Sequence, residues 1–201
     1  MSARDALDAE RLRAALATQR IGHRIVLLQE TASTNDVVAD MAAENAEGLV
    51  VLAEQQTSGR GQYGRRWESA PGKGLWMSVL LRPRLAIGDS RRLTDFLAYV
   101  IAAIVQEQCG IEPSIKLPND VYIADRKIAG VLVEMRVEGG GGYCAIAGIG
   151  INVNHAPSDF PVELRDSAGS LSLATGNSIN RTDLAIRLLR KMDERYSAAQ
   201  L

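Results

Sequence analysis

The chain has 201 residues, of which 46% are hydrophobic, and this length and composition suit one domain with a substantial core. Its 23 basic and 24 acidic residues give a net charge of −1, which argues against a protein that coats nucleic acid. Since no targeting segment or membrane-spanning apolar run is evident, we expect a cytoplasmic protein. Cys109 and Cys144 lack metal-ligand spacing and are interpreted as reduced core thiols.

The first quarter of the chain predicts two helices with a short strand between them. Residues 5–16, within an N-terminal helical segment 1–20, are too short for a winged DNA-binding domain, so we expect no DNA binding. A short strand follows at 25–28. The polar run 31–35 then precedes a helix predicted over 37–46; one of its residues suffices as a cap, which leaves others for a ligand.

The stretch 59–67 is the most distinctive feature of the sequence, because it holds three glycines and three arginines directly after an apolar strand at 49–54. Glycine lets a ligand approach the backbone closely, and guanidinium groups fit phosphate or carboxylate oxygens. Trp67 adds an apolar plane. The glycine spacing matches neither a P-loop nor a dinucleotide fingerprint, and arginine-glycine loops also occur as solvated turns. Neighbouring residues must therefore decide its role.

The remaining elements predict a sheet with packing helices. Apolar residues at 75–81 and 143–152 indicate strands, and residues 114–116 indicate a shorter one. Three- and four-residue spacing over 93–105 indicates an amphipathic helix. Residues 121–137 read as a β-hairpin, and a last helix spans 184–192 with Asn180 or Thr182 as its cap. The pattern predicts a single α+β domain over 1–201 with a mixed, mostly antiparallel sheet.

Polar groups stand at the ends of four apolar strands, where they can converge on one face. These groups are Ser33, Thr34 and Asn35; Gln55 and Gln56 with the loop; Asn119 and Asp120 with Lys127; and Asn152 with Asn154. Alone, Lys127 would be a solvated surface residue and Asp120 a turn residue. Glu134 could extend the acidic group around Asp120. His23 and His155 form no convincing triad or metal site.

Five motifs together resemble the catalytic domain of biotin protein ligases. Ser33-Thr34-Asn35 resembles the Ser-Thr-Asn motif of that family, and residues 59–67 resemble its biotinyl-adenylate loop. The other three segments that resemble family motifs are 116–122, 127–130 with Glu134, and 148–154. The resemblance implies the fold shared with class II aminoacyl-tRNA synthetases. It also implies formation of biotinyl-5′-adenylate from biotin and ATP with Mg²⁺, followed by transfer to a lysine of a biotin carboxyl carrier domain.

The resemblance also assigns roles to residues. Lys127, Arg60 and Asp120 are the implied catalytic residues, and Asp120 is implied either as a metal ligand or as a group near the incoming lysine. The implied biotin-binding residues are Ser33, Thr34, Asn35, Gln56, Arg60, Gly61, Gln62, Lys127 and Gly130. The implied ATP- or adenylate-binding residues are Gly59, Arg65, Trp67, Lys116, Asn119, Asn152 and Asn154. The loop is expected to be mobile without ligand and ordered with it.

Departures and alternatives accompany this resemblance. Gln62 replaces a frequent arginine, and Leu117 replaces the usual tryptophan, which we expect to alter packing under the site. The chain is expected to lack the small C-terminal β-barrel of many members. The alternatives are a lipoate or octanoate ligase or transferase of the same fold, and a non-catalytic sensor of biotin or its adenylate. Exposed strand edges permit a homodimer.

Overall fold

The structure is a computed structural model that describes residues 6–16, 19–139 and 142–199. The described residues form a seven-stranded sheet. Its strands are β1 (Arg24–Thr31), β2 (Leu49–Gln56), β3 (Gly74–Leu81), β4 (Ser114–Lys116), β5 (Asp120–Ile123), β6 (Arg126–Val137) and β7 (Tyr143–Asn152). Their spatial order is β1-β2-β3-β7-β6-β5-β4, and only β1 and β2 pair in parallel. This arrangement confirms the predicted α+β class with a mixed, mostly antiparallel sheet.

Helices cover both faces of the sheet because its central strands are apolar on both sides. The helices are α1 (Ala9–Leu16), α2 (Thr34–Met41), α3 (Ser90–Cys109), α4 (Leu171–Thr175) and α5 (Arg181–Ala198). In β2, Val50 and Leu52 join the larger apolar cluster, which includes residues of α1, α3 and α5, whereas Leu49 and Val51 join a smaller one with α2. This alternation follows the two-residue repeat of a strand. None of the described helices is long and apolar enough to span a membrane.

The structure corrects several predicted boundaries. Helix α2 begins at Thr34 rather than 37, and a 3₁₀ turn, Ala42–Glu44, succeeds it. Its N-cap is Ser33, whose side chain makes no capping hydrogen bond. Helix α5 is longer than predicted at both ends, and its cap is Asn180, whose side chain accepts a bond from the amide of Asp183. Positions 1–5, 17 and 18 of the predicted N-terminal helical segment lie outside the described residues.

Sheet pairing brings the predicted polar groups to one end of the sheet. Thr31 pairs with Gln56 at the ends of the parallel strands β1 and β2. The end of β7 at Asn152 pairs with Gly74, and Gly130 pairs with both Asp120 and Gly150. The strand pairing therefore confirms that the polar groups at the strand ends converge.

A buried ion pair fastens α5 beneath this end of the sheet. The Nη1 atom of Arg181 lies 2.7 Å from Oε2 of Glu54 on β2, and it also donates to the carbonyl of Gly74. The other oxygen of Glu54 accepts from the amide of Leu7. Both side chains are almost fully buried, at 1% and 4% exposure. The pair thus connects three segments that are distant in sequence.

Candidate active site

A cavity of about 320 Å³ opens at the end of the sheet where the polar groups converge. Of the site residues predicted from the sequence, all of which are described, those that line the cavity are Ser33, Thr34, Asn35, Gln56, Arg60, Gly61, Gln62, Arg65, Trp67, Asn119, Asp120, Lys127, Gly130 and Asn152. Gly59, Lys116 and Asn154 do not line it. Fourteen of the 17 predicted site residues therefore line the cavity, and they make up half of its 28 lining residues.

One part of the cavity floor is a hydrogen-bonded group of buried amide and hydroxyl side chains. Oε1 of Gln56 accepts from the backbone amide of Thr34 at 2.9 Å and from its hydroxyl at 3.0 Å. The Thr34 hydroxyl also lies 2.7 Å from that of Ser78, and Gln56 donates through Nε2 to Ser69 at 3.1 Å. These bonds orient the Gln56 amide before any ligand binds.

Asn35 extends the floor towards β6. Its Nδ2 donates to Oε2 of Glu134 at 2.6 Å, and its Oδ1 accepts from Ser78 at 2.5 Å. A Cβ atom at Gly148 would lie 2.4 Å from Oδ1 of Asn35, so the side chain can occupy this place only above a glycine. Thr34 and Asn35 are 3% and 4% exposed. Both side chains are thus bonded within the protein, and the ligand contacts expected of them stay a prediction.

The glycine-arginine loop, residues 59–67, folds back on itself beside the floor. The amide of Gly61 donates to the carbonyl of Arg65, and the amide of Trp67 donates to that of Gly59. At its tip Tyr63 has a φ of 60° and is 89% exposed. A positive φ is uncommon for a tyrosine, and the exposed ring has nothing to pack against. The mobility expected of this loop stays a prediction.

Arg60 lies between two carboxylates in this structure. Its two terminal nitrogens each donate to an oxygen of Asp36 at 2.7 Å, and Nη2 lies 3.3 Å from Oε2 of Glu134. The hydrogen bonds from Arg60 lower the pKa of Asp36 below its ordinary value, and those to Asp36 raise the pKa of Arg60. In this structure the guanidinium of Arg60 contacts these two carboxylates, and the catalytic role implied for Arg60 stays a prediction.

Trp67 forms an apolar wall of the cavity. Cβ atoms at Gly130 and Gly150 would lie 2.9 and 2.6 Å from its indole ring, so both glycines are required for the ring to sit against the sheet. Trp76 meets the ring edge to face at 6.3 Å. The ammonium of Lys127 is 5.2 Å from the ring centroid, within the range of a cation–π contact. The wall therefore combines an aromatic face with a cation.

Lys127 and Asp120 form an ion pair at the mouth of the β5–β6 hairpin. Nζ of Lys127 is 2.6 Å from Oδ1 of Asp120, and the side chains are 29% and 20% exposed. The backbone of Lys127 is held by the carbonyl of Ser167 and the amide of Gly169. This lysine is partly desolvated and lines the cavity. The position of its ammonium is fixed by both a carboxylate and the strand backbone.

The predicted residues outside the cavity have other contacts. Asn154 exchanges hydrogen bonds with both backbone groups of Ile179, ahead of α5. The ammonium of Lys116 lies over the ring of Tyr122 at 3.9 Å. Leu117 is 51% exposed, and the expectation that it alters packing under the site stays a prediction. The roles implied for Lys116, Asn154 and Gly59 stay predictions.

Sequence reasoning missed Ser78 and Asp36. Ser78 is fully buried, and it is the one polar side chain in the apolar strand β3, which was the available signal. Asp36 directly follows the Ser-Thr-Asn motif, but no pattern indicated Arg60 as its partner. Glu134, expected near Asp120, instead contacts Arg60 and Asn35.

The metal-binding capacity of the cavity is small. Within the part of the chain that the structure describes, no three Asp, Glu, His or Cys side chains form a group that could hold a metal ion. Asp120 lies on the cavity wall, and Glu68 is the other carboxylate that lines it. One carboxylate fits Mg²⁺ bound chiefly by nucleotide phosphates, since Mg²⁺ usually keeps waters and few protein ligands at such sites.

Comparison with known proteins agrees with this geometry. Residues 27–152 match the Biotin/lipoate A/B protein ligase family. The chain is 39% identical over 191 residues to the bifunctional ligase/repressor BirA of Bacillus subtilis, with 94% of this chain but only 59% of that protein covered. It is 30% identical over 204 residues to the biotin--[acetyl-CoA-carboxylase] ligase of Mycobacterium tuberculosis, which covers 96% of this chain and 71% of the relative.

A solved structure is similar in fold as well. The biotin protein ligase of Aquifex aeolicus in complex with biotin and ATP superimposes with a TM-score of 0.76 at 31% identity. The match covers 88% of this chain and 72% of that one.

Proposed function

The chain belongs to the biotin/lipoate A/B protein ligase family, and on this premise we propose that it is an ATP-dependent biotin protein ligase. The observation that carries the proposal is the placement of Lys127 in one cavity with a buried amide-hydroxyl floor and the glycine-arginine loop. The cavity offers neutral hydrogen-bonding groups at one wall and cations at another. Biotin has a ureido ring at one end and a carboxylate at the other, and it matches both.

The proposed first step joins two anions. A carboxylate oxygen of biotin attacks the α-phosphorus of ATP, a new P–O bond forms, and pyrophosphate leaves with the electrons of the broken bond. Lys127 offsets the repulsion between carboxylate and phosphate, and Asp120, 2.6 Å away, keeps its ammonium in place. When bound with ATP, Mg²⁺ neutralises further phosphate charge. The second step uses the lysine amine of a carrier domain, which attacks the acyl carbon, loses a proton and releases AMP.

The floor favours biotin over lipoate or octanoate. The hydroxyls of Ser78 and Thr34 have one proton each, and the Ser78 proton goes to Asn35. The Thr34 proton is shared between Gln56 and Ser78, which leaves oxygen lone pairs on this wall without a donor. Ureido N–H groups would supply such donors. A purely aliphatic chain has no such donor and would form no hydrogen bond with this wall.

We propose a biotin carboxyl carrier domain as the acceptor and the cytoplasm as the compartment. Free Cys109 and Cys144 suit a reducing environment. The Mycobacterium relative is named for acetyl-CoA carboxylase, which supports a carboxylase acceptor. A homodimer through a sheet edge stays a prediction, since β1 and β4 are the edge strands.

A transfer assay tests this function. The purified chain is incubated with Mg·ATP, a biotin carboxyl carrier domain and biotin, lipoate or octanoate in separate reactions, and the acceptor is weighed by mass spectrometry. We expect one biotinyl group per acceptor and no lipoyl or octanoyl group. Tight binding of biotin without adenylate or transfer would instead support the sensor, and modification by another acid would support the rival ligase.

A further inference from the structure

A chain of side-chain contacts crosses the cavity floor and connects the two ends of the glycine-arginine loop. It begins at Arg60 on the entering side of the loop and ends at the carbonyl of Trp67 on the leaving side. The intervening side chains, in order, are Glu134, Asn35, Ser78, Thr34, Gln56 and Ser69. The position of the loop is therefore coupled by direct contacts to the groups that face a ligand.

Glu134 is the junction of this chain of contacts. One of its two oxygens, Oε2, makes both contacts: it accepts from Asn35 at 2.6 Å and lies 3.3 Å from Nη2 of Arg60. The carboxylate can only accept, so it fixes Nδ2 of Asn35 towards β6 and turns Oδ1 towards Ser78. A change at Glu134 would therefore affect both the loop and the amide orientation on the floor.

Asp36 holds the other side of the same guanidinium. It accepts from both terminal nitrogens at 2.7 Å, the bidentate geometry in which arginine binds carboxylates most strongly. Asp36 belongs to α2 and Glu134 to β6, so Arg60 connects the glycine-arginine loop to a helix and to a strand of the sheet. The Arg60 and Asp36 side chains are 36% and 45% exposed, so salt can compete with the pair.

We propose that Asp36 and Glu134 are positioning residues that hold Arg60, and with it the glycine-arginine loop, over the cavity. They touch neither reacting group; they act through Arg60 by setting how long the closed loop retains what lies beneath it. The inference rests on the proposed function only in taking the retained molecule to be an acyl adenylate. The loop contacts themselves do not depend on it.

The first test needs no ligand. Limited trypsin digestion of the folded chain reports opening of the loop through cleavage after Arg65 or Arg66, which are exposed. We expect Asp36→Asn and Glu134→Gln each to raise this cleavage rate about three- to tenfold, as the loss of one charge-assisted contact implies. Asp36→Glu, which keeps the carboxylate, should restore most of the protection, and Glu112→Gln, an exposed carboxylate away from the cavity, should change nothing.

The second test measures retention. Biotinyl-5′-adenylate is bound, and its dissociation is followed after dilution at rising sodium chloride concentration. In the wild type, salt should accelerate release severalfold; in Asp36→Asn, release should begin fast and respond less to salt, because the screened pair is already absent. A general loss of structure would not produce that changed salt response.

The outcomes separate the two claims. A wild type that binds no biotinyl adenylate contradicts the proposed function, and the digestion arm still decides the loop contacts. The inference is overturned if trypsin cleaves Asp36→Asn at the same rate as the wild type. It is also overturned if the dissociation rate of the adenylate and its response to salt are unchanged in that variant. Because Asp36 is exposed, Asp36→Asn decides the matter should Glu134→Gln fail to fold. Urea midpoints measured alongside establish that the variants compared are folded.

Discussion

Two arginines in this protein make carboxylate contacts of the same length in opposite surroundings. Arg181 and Glu54 are 2.7 Å apart and 1% and 4% exposed, whereas Arg60 and Asp36 are 2.7 Å apart and 36% and 45% exposed. Breaking a buried pair strands a charge away from water, but water readily replaces the partner of an exposed one. Equal distances therefore do not imply equal energies: the first pair secures the scaffold, and the second is suited to release and re-form.

Lys127 and Asp120 lie between these extremes. At 2.6 Å and 29% and 20% exposure, their pair is sheltered enough to be strong and open enough for a ligand to reach the ammonium. The exposure of the three pairs therefore increases from the scaffold to the cavity wall to the loop. The following predictions test that ranking, from the largest effect to the smallest.

Arg181→Met should cause the largest loss of stability. It leaves the carboxylate of Glu54 buried without its guanidinium, which lowers the free energy of unfolding by about 3–5 kcal/mol. Urea denaturation measures this loss. Arg187→Met, an exposed arginine of the same helix, should change it by less than about 0.5 kcal/mol. The double variant Glu54→Leu/Arg181→Met should recover much of the loss; a similar small effect at both arginines would contradict the contrast.

Lys127→Gln should remove activity, with a loss of stability smaller than that of Arg181→Met. Loss of the ammonium beside the reacting anions should slow adenylate formation by about a hundredfold or more. Single-turnover measurement of adenylate formation checks the rate, and urea denaturation checks the fold. Lys116→Gln, whose ammonium lies over Tyr122 outside the cavity, is the comparison variant and should retain far more activity. Equal losses at the two lysines would remove the special role of Lys127.

Burial of His155 disfavours the protonated form of its imidazole. Burial, above all, lowers its pKa from 6.5 to about 4, with Asp159 opposing the shift and Lys73 and Arg181 adding to it. Between these two values the unfolded chain binds a proton that the folded chain does not. Stability should therefore rise with pH through this window and be lost as pH falls from 6.5 towards 4, by at most about 1.4 kcal/mol per unit.

His155→Phe should remove that contribution to the pH slope. The replacement ring can keep the stacking on Phe160 and the edge contact with Trp76. Urea denaturation from pH 4.5 to 7 measures both slopes. Equal slopes for wild type and variant would mean that the folded protein accepts the imidazolium.

Asp36→Asn should have the smallest effect on stability. An exposed ion pair contributes about 0.2–1 kcal/mol, so the unfolding free energy should fall by no more than that. The change should shrink further at high salt. Urea denaturation at low and high ionic strength measures it. A loss as large as that of Arg181→Met would show that the loop contact is part of the scaffold.

Local patterns predicted the sheet and the cavity wall well. Alternating and continuous apolar runs located the strands, and the motif order identified half of the cavity residues. The sequence patterns gave the wrong helix boundary where contacts with distant side chains determine the local structure. Thr34 and Asn35 looked like residues ahead of a helix, but their bonds to Gln56 and Glu134 place them inside α2.

The ion pairs could not be read from the sequence, because their partners are far apart along the chain. Glu54 and Arg181 are separated by 127 residues, and neither lies in a motif. Arg60 and Asp36 lie within motifs, but nothing local indicates that one guanidinium would face two carboxylates. Such contacts follow from the crossing of strands and helices in three dimensions.

The central claim is that this cavity activates biotin with ATP, and pyrophosphate exchange tests it without any acceptor protein. The purified chain is mixed with Mg·ATP and labelled pyrophosphate, and incorporation of label into ATP is measured with biotin, lipoate or octanoate in separate reactions. We predict exchange with biotin alone and its near-complete loss in Lys127→Gln. Exchange with lipoate or octanoate instead, or none with biotin despite biotin binding, would contradict the account.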